Sequence, residues 1–101
     1  MARISTHILD VAKGKPAAGV QVELRVGGVA VTSAVTNADG RTDAPLLAGE
    51  RIETGWYELM FRTGGSFFGD ITIRFHVAEP DGNYHVPLLL APYGYSTYRG
   101  S

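Results

Sequence analysis

Three histidines, His7, His76 and His85, are the side chains whose unperturbed pKa lies nearest neutrality, so acid–base chemistry at pH 7 falls to them first. They sit in different company. His76 follows Thr72 and Arg74 at two-residue spacing on the polar side of an alternating run and reads as a surface histidine. His7 lies in Ser5-Thr6-His7-Ile8-Leu9-Asp10, among hydroxyl and carboxyl groups able to fix its tautomer. On an extended chain Ser5, His7 and Leu9 share one face. The pattern alone leaves His7 open between a functional group and a satisfied surface or interface histidine. His85 opens Tyr84-His85-Val86-Pro87, where an imidazole among apolar residues needs a hydrogen-bond partner or a site.

Two histidines do not make a tetrahedral zinc centre, and with no cysteine and no His-x-His or His-Glu-x-x-His spacing a metal-free site is expected. No Gly-x-Ser-x-Gly elbow supports a seryl nucleophile. Arg41, after Asp39-Gly40, offers a planar donor fork suited to a carboxylate or a carbonyl-rich ligand, although an arginine after a turn is also an ordinary solvated residue. The closing block Tyr93-Gly94-Tyr95-Ser96-Thr97-Tyr98-Arg99-Gly100-Ser101 sets three tyrosines among small residues, which is unlike a frayed terminus and predicts a packed one. It is either a core or interface strand, or a pocket lining built from Tyr98, Arg99 and Ser101.

The elements that must hold these groups are strands. Thirteen Gly and five Pro at short intervals leave little room for a long helix. Val20-Gln21-Val22-Glu23-Leu24-Arg25-Val26 alternates so that Val20, Val22, Leu24 and Val26 face inward; in Asp70-Ile71-Thr72-Ile73-Arg74-Phe75-His76-Val77 the inward set is Ile71, Ile73, Phe75 and Val77. Runs at 4–11, 29–36, 56–62 and 84–91 complete about six strands, with short ones at 44–47 and 95–99. Turns fall at Asn37-Ala38-Asp39-Gly40 and Glu79-Pro80-Asp81-Gly82-Asn83, and the whole predicts an all-β, two-sheet antiparallel sandwich.

One domain over residues 1–101 is expected from the length. Apolar residues at 45% and charged ones at 19% argue for a folded chain. A formal charge of −1 without a basic run excludes a nucleic-acid partner on electrostatic grounds. The longest apolar block is short and broken by proline, which argues against a membrane span, and a start without an apolar signal region makes the cytoplasm the expected compartment.

Four blocks in order, Ser5-Thr6-His7-Ile8-Leu9-Asp10, Thr36-Asn37-Ala38-Asp39-Gly40-Arg41, Tyr84-His85-Val86-Pro87-Leu88-Leu89-Leu90 and Tyr98-Arg99-Gly100-Ser101, resemble the transthyretin-related 5-hydroxyisourate hydrolases of urate breakdown. The likeness runs essentially end to end. It implies a prealbumin-type β-sandwich assembled as a homotetramer, a dimer of dimers, with sites in the channel where dimers meet. By the same resemblance His7, Arg41, His85 and Ser101 are the catalytic or polar site residues. Tyr98 joins His7 and Arg41 in contacting a small-molecule substrate, and no cofactor is called for. Such a residue set suits hydrolysis of a cyclic N-acyl bond, with an imidazole to activate water and a donor for the oxyanion.

One departure is visible in the sequence. Family members place a short helix after the strand corresponding to 56–62, whereas Thr63-Gly64-Gly65-Ser66-Phe67-Phe68 runs almost directly into the next strand, so the helix is expected to be missing and Gly64-Gly65 to close a tight hairpin. The stretch 25–31 is also short. Two functions from other classes share this fold class: a non-catalytic small-ligand carrier of the transthyretin kind, and a plain sandwich used for adhesion or as a spacer. The first lacks the histidine and arginine set by resemblance; the second leaves the histidines and the tail unexplained.

Overall fold

The computed structural model describes residues 1–101. Its eleven strands are β1 (Ala2–Ser5), β2 (Ile8–Asp10), β3 (Lys15–Pro16), β4 (Gln21–Val26), β5 (Val29–Val35), β6 (Leu47–Gly49), β7 (Gly55–Arg62), β8 (Asp70–Val77), β9 (Asn83–His85), β10 (Leu88–Ala91) and β11 (Gly94–Thr97). No helix interrupts them, and none is long and apolar enough to cross a membrane. One layer is the antiparallel sheet β5-β4-β7-β8. The other consists of β6-β1-β9 and β11-β10-β2-β3.

These last two sheets are joined through their middle strands. Ile4 pairs with Tyr84 and Ile8 with Leu88, both in parallel and in the same register. Between them the amide of Val86 donates to the Ser5 carbonyl and that of Leu88 to the His7 carbonyl, at 2.9 and 2.8 Å. The result is one parallel ribbon through an otherwise antiparallel sandwich. Its nominal break falls where Pro87, with no N–H to give, stands beside His7. There the Thr6 hydroxyl donates to the Val86 carbonyl at 2.7 Å, so a buried threonine is satisfied inside the sheet.

Alternation along the strands explains the core. Val22 and Leu24 of β4, Tyr57, Leu59 and Phe61 of β7, and Ile71 and Val77 of β8 meet Ile4, Ile8, Tyr84, Val86 and Leu88 of the facing layer in one cluster of sixteen buried residues. Each fully buried aliphatic or aromatic side chain there contributes ~1.5–3 kcal/mol. The predicted inward faces hold except at Val26, which is 39% exposed. Val26 lies beyond the last β4–β7 pair, Arg25 with Glu58, at the hairpin end of the strand, and the β4–β5 register shift between Leu24 and Arg25 leaves Val31 of β5 as the bulged residue.

The tight glycine hairpin is not where it was expected. Gly27 and Gly28, with φ of 58° and 81°, link the paired Val26 and Val29 in a two-residue turn of the kind that needs positive φ at both centres. Gly64-Gly65 instead begins a longer connection between Arg62 and Asp70; Gly64 has positive φ and Gly65 does not. The Thr63 hydroxyl ties that loop by donating to the Gly69 carbonyl and accepting from the Gly65 amide. Phe67 and Phe68 then pack edge-on against Tyr93 and Tyr95, with centroids 5.6 and 5.1 Å apart. The helix is absent, as expected, and an aromatic clasp onto β11 occupies this connection.

The tail differs from expectation as well. Tyr93, Tyr95 and Tyr98 remain exposed in the single chain and outside the core, although Tyr93 and Tyr95 meet the loop phenylalanines. What holds it is backbone pairing: Gly100 bridges to His85, its amide donating to the His85 carbonyl at 2.7 Å. The Arg99 guanidinium lies over the Tyr84 ring at 4.5 Å.

Candidate active site

The parallel ribbon brings two widely separated blocks together. In its register Ser5 stands directly beside His85, so their side chains lie on one face, and Ser5 Oγ is 2.9 Å from His85 Nδ1. The ring is confined from another side by Gly100, where an added Cβ would fall 2.5 Å from Cδ2. A glycine in the Tyr-Arg-Gly-Ser tail is therefore a steric requirement of the imidazole beside it.

Arg41 arrives by a separate device. The Asn37 side-chain carbonyl accepts the amides of Asp39 and Arg41, while the Asn37 amide donates to the Arg41 carbonyl at 2.7 Å. The Asn37 side-chain amide also donates to Asp43 at 3.0 Å. This knot of bonds closes the 37–41 turn, and the strand edge receives it: His7 bridges to Arg41, and the Ile8 amide donates to the Gly40 carbonyl at 2.8 Å. Gly40 has φ of 73°, and an added Cβ would run into the Ile8 carbonyl oxygen.

These elements enclose an open cleft of about 420 Å³ whose lining includes Arg3, Ser5, Arg41, Asp43, His85 and Ser101. Of the residues expected at a site, Arg41, His85 and Ser101 share the cleft. His7 stands beside it, joined through the bridge to Arg41 and close enough for its charge to act on His85. Tyr98 is not brought there; it lines a smaller hollow of about 190 Å³ with Ile73, Phe75, His76, Tyr84 and Val86. The chain crosses β9 at Gly100, which places Tyr98 toward β8. His76 is exposed on the outer face of β8, as predicted, with its ring 4.8 Å from that of its cross-strand neighbour Trp56.

Electrostatics set the state of the central imidazole. Burial lowers the His85 pKa below 6.5, and the nearby positive charges of Arg41, His7 and Arg3 lower it further. At neutral pH His85 is uncharged, able to accept a proton, and set between guanidinium donors. Neither guanidinium is committed to a carboxylate, since the ion pairs of the structure are Arg25 with Glu23 and Arg62 with Asp70. An uncharged imidazole beside free guanidinium groups can draw a proton from water while a cation faces the oxygen on which charge builds. Arg3, Ser5, Asn37 and Asp43 were not singled out as site residues; the only local signal was the two-residue spacing of Arg3, Ser5 and His7.

The chain is similar to known proteins over nearly its whole length. The profile described as the HIUase/Transthyretin family matches residues 4–100. A protein of Deinococcus radiodurans named 5-hydroxyisourate hydrolase is 50% identical over 113 aligned positions, covering 97% of this chain and 95% of that one. The alignment is longer than the 101-residue chain, so the relative carries residues absent here. The structure of Klebsiella pneumoniae 5-hydroxyisourate hydrolase superposes with a TM-score of 0.88 at 40% identity, covering 98% of this chain and 99% of that one. Sea bream transthyretin in complex with thyroxine gives 0.83 at 26% identity, covering 97% and 94%. With a profile match that spans both strands of the ribbon, the Arg41 turn and the tail up to Gly100, the chain belongs to the HIUase/Transthyretin family.

Proposed function

We propose that this chain is a 5-hydroxyisourate hydrolase, opening a cyclic N-acyl bond to give 2-oxo-4-hydroxy-4-carboxy-5-ureidoimidazoline. The observation that carries the reading is an uncharged His85 in a cleft shared with Arg41, in a chain half identical to a protein of that name. His85 accepts a proton from water as the oxygen adds to the acyl carbon, and Arg41 faces the resulting oxyanion. The carbon–nitrogen bond then breaks, the leaving nitrogen takes a proton through the neighbouring imidazoles His85 and His7, and the acyl carbon leaves as a carboxylate. Ser101 supports the bound substrate by a hydrogen bond. No step needs a metal or cofactor.

The test is the decay of freshly generated 5-hydroxyisourate with and without protein in excess chelator. Catalysed decay is expected, and because the His85 pKa is lowered the base form persists on acidification, so the acid limb of turnover falls below pH 6.5. Equal decay in the two samples overturns the enzyme reading in favour of a small-ligand carrier of the transthyretin kind.

The same reading makes the chain, one domain over residues 1–101, the subunit of a cytoplasmic homotetramer, a dimer of dimers. Support comes from the apolar and aromatic side chains left exposed on a single copy, among them Val29, Val31, Phe67, Tyr93 and Tyr95. Light scattering is expected to give four times the 10.8 kDa chain mass. A monomer mass at micromolar concentration refutes the assembly.

A further inference from the structure

Ser5 is absent from the roles assigned above, yet it makes the one side-chain hydrogen bond of the central imidazole, Oγ to Nδ1 at 2.9 Å. The other ring nitrogen, Nε2, has no hydrogen bond within the chain, and no side-chain nitrogen or oxygen is buried without a partner, so Nε2 is open to solvent. Arg3 and Arg41 line the cleft there with His85, and a guanidinium carries only donors. An Nε2 lone pair accepts from either guanidinium or from water, whereas an Nε2 proton would have to turn from the guanidiniums to water or to the cleft's few oxygens, Asp43 among them. The serine hydroxyl can serve as either donor or acceptor, so it takes whichever role the cleft leaves to it.

We propose that Ser5 is the positioning residue of the site: its Oγ accepts Nδ1–H from His85, which locks the ring in the tautomer whose Nε2 is the free base. The backbone supports this precision, because Ser5 and His85 are direct partners in the parallel ladder and the Ser5 carbonyl is itself held by the Val86 amide. Gly100 stands close against the Cδ2 edge of the same ring. The charged and titratable groups around His85 are Arg3 on β1, His7 between β1 and β2, and Arg41 and Asp43 on the 37–43 turn; the cations among them favour the uncharged ring, which is the form that has a tautomer to choose.

The catalytic part of this inference rests on the hydrolase reading, but the tautomer does not, which lets the two be separated. Long-range ¹⁵N NMR on the intact protein at pH 7 is expected to show His85 protonated on Nδ1 and bare on Nε2. In Ser5→Ala the ring shifts toward the Nε2–H tautomer, and turnover of 5-hydroxyisourate falls about tenfold in kcat with KM little changed. Ser5→Thr, which keeps the hydroxyl, restores both signals. An Nε2–H tautomer in the wild-type protein overturns the proposal without recourse to any variant, as does a Ser5→Ala protein with unaltered tautomer and rate. A wild-type protein that shows the Nδ1–H tautomer but no hydrolysis leaves Ser5 in place and overturns the hydrolase reading alone.

Discussion

Gly100→Ala is expected to lower kcat by about a hundredfold while leaving the fold intact, because ångström-scale misplacement of a catalytic group costs that much. The new Cβ would stand 2.5 Å from His85 Cδ2 and 3.3 Å from Cγ, with Pro87 Cγ at 3.4 Å blocking retreat. The ring cannot give way freely, since Nδ1 is tied to Ser5 and Pro87 is a rigid neighbour. Either the imidazole turns and loses its hydroxyl partner, or the tail lifts away and takes Ser101 out of the cleft. Each outcome disarms the site and neither touches the core. Gly94→Ala is the control, for its Cβ would meet nothing within 4 Å. Circular dichroism and steady-state kinetics on the two variants decide the matter, and a Gly100→Ala enzyme with full turnover shows that the ring is not confined there.

The largest stability effect is expected at Gly40. An alanine there adopts a left-handed backbone, φ 73°, at a cost of ~1–2 kcal/mol, and its Cβ collides with the Ile8 carbonyl oxygen while standing 3.0 Å from Pro16 Cβ and 3.2 Å from His7 Cδ2. Backbone cannot step aside as a flexible side chain can, so the turn must separate from the strand edge and give up the bond from the Ile8 amide. A domain of this size loses about 4–8 °C per kcal/mol, so Tm should drop by more than about 10 °C, with turnover falling as Arg41 and His7 part. Gly14→Ala bears the same backbone strain, φ 68°, with nothing within 4 Å, and so isolates the collision from the torsion. Equal Tm values for the two variants would show that close approach at Gly40 contributes nothing.

Strand positions were legible from period-two alternation where a strand has one face in the core, as β4 and β8 do: Ile71 and Val77 are buried and Arg74 and His76 exposed, as their spacing requires. Bulges and turn choice were not legible. A Gly-Gly pair closes a hairpin only if the residues flanking it fall opposite one another, and that depends on a register no dipeptide encodes; Val26 and Val29 meet this condition, and the pair at 64–65 does not. In the site, His7, Arg41 and His85 were recognisable through resemblance rather than through local chemistry, since each alone passes for an ordinary polar residue. Ser5 carried no signal toward His85, because the contact arises from pairing between strands at opposite ends of the chain. Tyr98 shows the converse: its place in a motif gave no indication that the tail's crossing of β9 would turn it toward β8.

The parallel ribbon also governs when the cleft can exist. Its partners in the ladder, Arg3 with Asn83 through Asp10 with Leu90, are eighty residues apart, as the contact between Ser5 and His85 states directly. Closing a loop of that length costs chain entropy that local contacts cannot offset in advance, so this pairing belongs to the slow, non-local part of folding. On the ribosome the sheet β5-β4-β7-β8 can assemble once Val77 has emerged, whereas β1 and β2 must wait, each with an unsatisfied edge, until β9 and β10 follow. The order of synthesis thus delays assembly of the cleft until β9 and β10 are made: a nascent chain short of them has much of its core and His7, but not the His85 that completes the imidazole pair.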